Sequence, residues 1–175
     1  VHNMRVDAIE RLGLGYATLR AEKPDLVYCV ATGFDQDGPD RARPAFDDVI
    51  QAAGGLASIA NVYAERPDYV SSLIADKTTG LALVNAVLAA LFHRERTGEG
   101  QYAETPMLET MAAFVLAEHM GGMTFEPREG AVGYARLLQG GRRPMQTKDG
   151  WLALLPYTAE HWTAFFSEIG RMDMV

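Results

Sequence analysis

The sequence predicts an α/β fold, with parallel strands and helices followed by the start of a smaller α+β domain. Three observations carry that expectation. Leu26 to Thr32 is a continuous apolar run of strand length, partly β-branched and bounded by Pro24 and Gly33, which suits a buried parallel strand. Lys77 to Arg94 is long, apolar and helix-periodic. From Pro144 the pattern changes: apolar runs flank Lys148-Asp149-Gly150, an Asp-Gly hairpin signal, and one more helical segment follows.

The other elements follow in order. Val6, Ile9 and Leu12 make one helical face, which Gly13 and Gly15 end. A short helix over Tyr16 to Glu22 stops before Pro24. Residues 33–44 hold two Gly and two Pro and read as a loop. Asp47 to Ala57 places Val49, Ile50, Ala53 and Leu56 at helical spacing, and 61–72 is loop again. In the long helix, Leu81, Val84, Leu88 and Leu91 form the expected core stripe, widened by Leu83, Val87 and Ala90. Glycine chemistry over Thr97 to Gly100 ends it. An extended piece at Gln101 to Glu104 leads into a helix from Pro106 to His119. Residues 121–143 lack periodicity and read as a linker. The last helix, Thr158 to Ile169, starts at Thr158 or Ala159, with Trp162, Phe165, Phe166 and Ile169 apolar and Gly170 after it.

Composition narrows the function. A chain of 175 residues buries one substantial core, or one domain and part of another. The net charge of −7 argues against a nucleic-acid partner, because nothing neutralises a phosphate backbone. It leaves room for a local Arg cluster facing an anionic cofactor. Cys29, the one cysteine, lies within the apolar run and reads as a small core hydrophobe; a reducing cytoplasm is the simplest setting. No run reaches the roughly 18 to 20 uninterrupted apolar residues of a membrane span, so no membrane partner is expected. His93, His119 and His161 have no spacing that suggests zinc, and no metal is expected.

Asp76 carries the most chemistry. Leu73-Ile-Ala-Asp76 delivers a carboxylate to the start of the long helix, where free N–H groups and the helix dipole favour its ionised form. The plain reading is an N-cap; the chemical one is a nucleophile. Asp47 and Asp48 have the same plain reading, as the N-cap and first turn of their helix. Arg41 and Arg43 sit in a loop and read as solvated charges.

Several segments together resemble the family III CoA-transferases, the group that includes α-methylacyl-CoA racemases and the carnitine and bile-acid CoA-transferases. These are Ala75-Asp76-Lys-Thr-Thr-Gly80, the helix through Ala89-Ala-Leu-Phe-His-Arg94, and Arg96-Thr-Gly-Glu-Gly-Gln101. Asn3-Met-Arg5 with Arg11-Leu-Gly-Leu14 resembles the family's Asn-Phe-Arg and Leu-Gly-Leu segment. Asp25-Leu-Val-Tyr28 through Gly33-Phe34 and Gly38-Pro39, Phe46-Asp47 with Gln51-Ala-Ala-Gly-Gly-Leu56, and Thr147-Lys-Asp-Gly-Trp151 resemble further segments in the same order.

The resemblance implies a partial Rossmann-like large domain. Residues 1–120 would be the central part of its CoA-binding domain, 121–143 a linker and 144–175 the truncated start of a small domain. The chain would then be a fragment of a longer enzyme that forms an interlocked homodimer. The implied reaction moves CoA from an acyl-CoA donor to a carboxylic acid acceptor through an aspartyl-CoA intermediate on Asp76. Coenzyme A is then a substrate, and no permanent cofactor is implied. Phe46 and Asp47 would support the catalytic aspartate, and Asn3, Met4, Arg11 and Leu12 match positions that contact the CoA nucleotide. Racemases carry a histidine base in the Phe46 slot, and a phenyl ring exchanges no proton. Racemase or epimerase activity, and a catalytically incomplete CoA-binding fragment, are the alternatives. Gly140-Gly141 stands near the position of a glycine segment that covers the active site in some relatives, but reads more simply as linker.

Overall fold

The computed structural model describes residues 1–60, 66–139 and 142–175. It divides into two compact units, Val1–Gly133 and Tyr134–Val175. The segment expected to be a linker, 121–143, is shared between them and contains a 3-10 turn, Gly121–Thr124, and a short helix, Ala135–Leu138.

The first unit is built on a parallel strand pair. Strand β1 (Tyr28–Thr32) pairs with β2 (Tyr102–Pro106), Tyr28 opposite Tyr102 and Thr32 opposite Pro106. On the free edge of β1, His2 bridges Val30 in parallel, its N–H donating to Cys29 and its carbonyl accepting from Ala31. Cys29 and Val30 are fully buried, as the continuous apolar run predicts for a strand covered on both faces. Helices α1 (Val6–Arg11) and α2 (Tyr16–Glu22) precede β1. Between the strands lie α3 (Asp47–Ala53), α4 (Leu56–Ile59) and the 24-residue α5 (Ile74–Thr97); α6 (Met107–His119) follows β2 directly. Phe34, Ile50, Ala75, Met111 and Val115 form the core between these helices and the sheet.

Two helical patterns differ from expectation. The helix expected over Asp47 to Ala57 is broken by Gly55, whose φ of +85° suits glycine and starts α4. In α3 the buried positions are Asp47, Ile50 and Gln51, while Val49 faces out. Polar groups turn inward there because they have partners inside, as described below.

The expected core stripe of α5 is only partly inside. Leu81, Val84 and Leu88 are 70%, 53% and 58% exposed, whereas Leu83, Val87 and Leu91 are half-buried and Ala90 is buried, together with Ala75 and Thr79. The helix packs on both strands, α3 and α6, and its fully buried positions are small, which allows close approach. By length and composition α5 is the one described helix apolar enough to cross a bilayer. Asp76 and Lys77 nevertheless lie in its first turn, and its small-residue face packs on the sheet.

Gly98, at φ +76°, ends α5 with its N–H on the Arg94 carbonyl. Gly100 has a different constraint. A Cβ there would stand 2.2 Å from the Leu26 carbonyl oxygen and 2.5 Å from the Asp25 carbonyl carbon. The entry to β2 therefore depends on backbone passing against backbone.

In the second unit, β3 (Met145–Gln146) and β4 (Trp151–Leu152) form the expected antiparallel hairpin. Helix α7 (Ala135–Leu138) precedes them and α8 (Ala159–Glu168) follows. Thr158 settles the start of α8: its side chain caps the helix by accepting the His161 N–H at 3.2 Å. Trp162 stacks on Phe166 with centroids 5.5 Å apart, yet no described residue of this unit is fully buried.

Two glycines of the first unit should respond oppositely to alanine. Gly100→Ala should cost about 2 kcal/mol or more, because backbone must shift to admit the methyl. Gly80→Ala, inside α5 with nothing within 4 Å of the added carbon, should stabilise by about 0.5–1 kcal/mol. Urea-unfolding midpoints of the two variants check both signs.

Candidate active site

A cavity of about 1310 Å³ opens in the first unit at the carboxyl ends of the strands. Open parallel sheets bind ligands in that position. Thr32 and Gly33 at the end of β1, and Met107 just after β2, form its floor. Its walls come from the N-terminal residues, the segment 41–47 and the first turns of α5. The volume exceeds the roughly 300–1,000 Å³ of common small-molecule sites and suits a long, branched ligand.

Asp76 lies on the α5 wall. It is not the N-cap: Leu73 holds that position, without a side-chain bond, and Asp76 is the third helical residue. The cap comes from another helix. Phe46, extended at φ −132° and ψ 163°, delivers Asp47 as the first residue of α3. The Asp47 side chain reaches across to α5, where its Oδ2 accepts the Asp76 backbone N–H at 3.0 Å. Asp47 therefore satisfies one of the orphan N–H groups of α5.

One turn along α3, Gln51 is fully buried, and its Nε2 donates to the other Asp47 oxygen, Oδ1. The same amide reaches the carbonyls of Val70 and Ser72 at 3.4 and 3.3 Å, while its Oε1 accepts the Val70 N–H at 2.9 Å. Gln51 thus ties α3 to the segment that enters α5.

The two carboxylates shape one another. Asp76 is exposed to the cavity, yet its carboxyl is held above the usual carboxylate range, first by partial desolvation and second by the negative charge of Asp47. The positive end of α5 pulls the other way, and the net direction is upward. An ionised carboxylate of raised proton affinity is the stronger nucleophile.

Of the residues singled out in the sequence, Asn3, Met4, Phe46, Asp47 and Asp76 meet at this cavity. Phe46 is 73% exposed and presents an apolar ring there. Arg11 and Leu12 do not line it. Arg11 pairs with Asp7 at 3.2 Å along α1, and Leu12 follows that helix largely in solvent. Arg41 and Arg43, read from sequence as solvated loop charges, line the wall together with Arg5. Arg43 also pairs with Asp40 at 3.2 Å and lies 5.7 Å from the Phe34 ring centre. Arg5 pairs with Asp7 at 3.1 Å. Three arginines thus line the cavity of a chain of net charge −7, together with the carboxylates of Asp7, Glu10, Asp47 and Asp76.

Sequence reasoning missed Gln51 and His2. The His2 Nε2 lies 2.7 Å from the Tyr28 hydroxyl at the cavity edge, and that hydroxyl donates to the Leu14 carbonyl. A polar residue four positions after an acid was the available signal for Gln51. Gly140 and Gly141 lie outside the described residues.

The model of CoA-transferase family III matches residues 1–175. A Mycobacterium tuberculosis protein named as a probable fatty acyl-CoA transferase is 30% identical over 98% of this chain and 46% of its own length. A succinate–glutarate CoA-transferase of Agrobacterium fabrum is 34% identical over 69% of this chain and 30% of its own. A crystal structure of a CAIB/BAIF family protein from Brucella suis superposes with a TM-score of 0.81 at 26% identity, covering 98% of this chain and 45% of that one. The chain spans less than half the length of these relatives.

The coupling of the carboxylates is measurable without substrate. In Asp47→Asn the Asp76 carboxyl should titrate at lower pH than in the native chain, as NMR of the labelled carboxyl carbon would record. Its raised pKa means that the folded chain keeps this proton to higher pH than the unfolded chain. The site's contribution to stability is therefore present below the ordinary Asp value of 3.8 and lost as pH rises through the raised folded value. Removing the Asp47 charge should narrow that window.

Proposed function

The chain belongs to CoA-transferase family III, and on that premise we propose that it carries the nucleophile of an enzyme moving coenzyme A from an acyl-CoA to a carboxylic acid. The observation that carries this reading is the Asp76 carboxylate in the first turn of α5, on the wall of a large cavity that Arg5, Arg41 and Arg43 also line.

Asp76 attacks the thioester carbonyl, the C–S bond breaks, and a mixed anhydride forms with release of CoA thiolate. The thiolate then attacks the aspartyl carbonyl. That step gives an aspartyl-CoA thioester and frees the donor acid, which leaves with one oxygen from Asp76. The acceptor carboxylate reverses both steps, so acyl-CoA product forms and the aspartate is regenerated. One difficult exchange becomes a series of easier ones. Arg5, Arg41 and Arg43 supply charge for an anionic ligand, for which the planar guanidinium is suited. Asn3 and Met4 border the same space. Phe46 offers no proton at the site, which favours transfer over racemisation.

The relatives are more than twice as long, so the whole protein would supply the rest of the pocket. We extend the reading to an interlocked homodimer, supported by the family resemblance, and to a reducing cytoplasm, supported by the single free cysteine, Cys29. Relatives named for fatty acyl and for succinate–glutarate transfer make succinyl-CoA and a fatty acyl-CoA the first donors to try.

Incubating the full-length protein with each donor, trapping with hydroxylamine and mapping peptides should place a hydroxamate on Asp76. Asp76→Asn should lower turnover at least roughly 10³-fold while the protein stays folded. Modification elsewhere, or full activity in Asp76→Asn, would overturn the assignment.

A further inference from the structure

We propose that Gln51 is a positioning residue for the CoA-transfer step, acting through Asp47 on Asp76. The inference rests on the reading of Asp76 as nucleophile and adds a residue that never touches substrate.

A buried amide costs free energy unless its polar atoms are paired. Gln51 is 0% exposed, and both ends of its amide are used. Its oxygen takes the Val70 N–H, so its nitrogen must face Asp47 and the carbonyls of Val70 and Ser72. That orientation gives Asp47 Oδ1 a donor and leaves Oδ2 for the Asp76 N–H. Those same carbonyls shape the approach to α5: Val70 accepts the Ser72 N–H at 2.6 Å, and Ser72 accepts the Ile74 N–H at 2.7 Å. One side chain thus fixes the Asp47 carboxylate and the backbone that enters the nucleophile's helix. A purely packing role would be served by an apolar side chain of the same size. Such a side chain would leave Asp47 Oδ1 without its donor and the Val70 N–H without its acceptor.

The charged groups around this junction are Asp47 on α3 and Asp76 and Lys77 in the first turn of α5, with the Lys77 Nζ donating to the Ser72 hydroxyl at 2.9 Å. Gln51→Glu is therefore the informative variant. Protonated, a glutamic acid donates and accepts much as Gln51 does; ionised, it sets a negative charge against Asp47. Gln51→Met keeps the volume and loses both functions.

The measurement is the single-turnover rate of Asp76 labelling by succinyl-CoA, or by the fatty acyl-CoA if that donor labels faster, in the full-length protein at pH 5.5 and pH 8. Gln51→Glu should lose roughly 10- to 100-fold at pH 8, the range for a hydrogen bond to a charged group. Relative to the native protein it should recover most of that loss at pH 5.5. Gln51→Met should lose a similar factor at both values, with KM for the donor within about twofold of native. A native-to-Gln51→Glu ratio equal at both pH values would overturn the proposal, whether or not Gln51→Met folds. Failure of Gln51→Glu to fold at either pH would assign Gln51 to the fold alone and overturn it too. If the native protein gives no label on Asp76, the nucleophile reading falls first and this inference with it. If the native protein labels and the variants match it, only the Gln51 proposal falls.

Discussion

Asp47 Oδ2 accepting the backbone N–H of Asp76 is the contact on which the site's geometry turns. A helix start needs acceptors for its first N–H groups, and α5 receives one from the head of α3, 29 residues earlier in the chain. The bond sets the head of α3 against the head of α5. It also places two carboxylates together: partial desolvation first, and the Asp47 charge second, make Asp76 resist ionisation more than an isolated Asp. Gln51 completes the junction by pairing the second Asp47 oxygen, and no buried side-chain polar atom among the described residues is left without a partner.

The rest of the first unit supports that junction. Helix α5 packs on β1 and β2, and its fully buried positions, Ala75, Thr79 and Ala90, are small. Close packing brings its N-terminus to the carboxyl ends of the strands, where Thr32, Gly33 and Met107 floor the cavity. Gly100 lets the chain turn from α5 into β2 against the backbone of Asp25 and Leu26. The segment 41–47 then contributes both Arg41 and Arg43 and Asp47 to the lining. Fold and site share the same few contacts.

Much of this was legible in the sequence. The apolar run at β1, the long α5, the Asp-Gly hairpin and the capped α8 each follow from local rules, and each appears. Asp76 stood out because an acid opens an apolar helix. Its bond to Asp47 was not legible, since nothing local marks a contact across 29 residues. Gln51 was hidden for a related reason: a polar residue in a helical pattern reads as a solvent face unless its partner is known. The outward position of part of the α5 stripe has another cause. Periodicity weights bulky residues, while close helix–sheet packing selects small ones, so Leu81, Val84 and Leu88 were placed inside and lie outside. Asn3 and Met4 reach the cavity, whereas Arg11 and Leu12 end α1 away from it.

Oxygen isotope transfer distinguishes a covalent role of the Asp76 carboxylate in CoA transfer from a non-covalent one. If the acceptor acid attacks an aspartyl-CoA thioester, one of its oxygens must remain on the aspartate after turnover. With succinyl-CoA as donor and glutarate labelled with oxygen-18 in its carboxylates, oxygen-18 should appear in the peptide containing Asp76 after catalytic turnover by the full-length protein. Turnover that leaves this peptide unlabelled would contradict the covalent role.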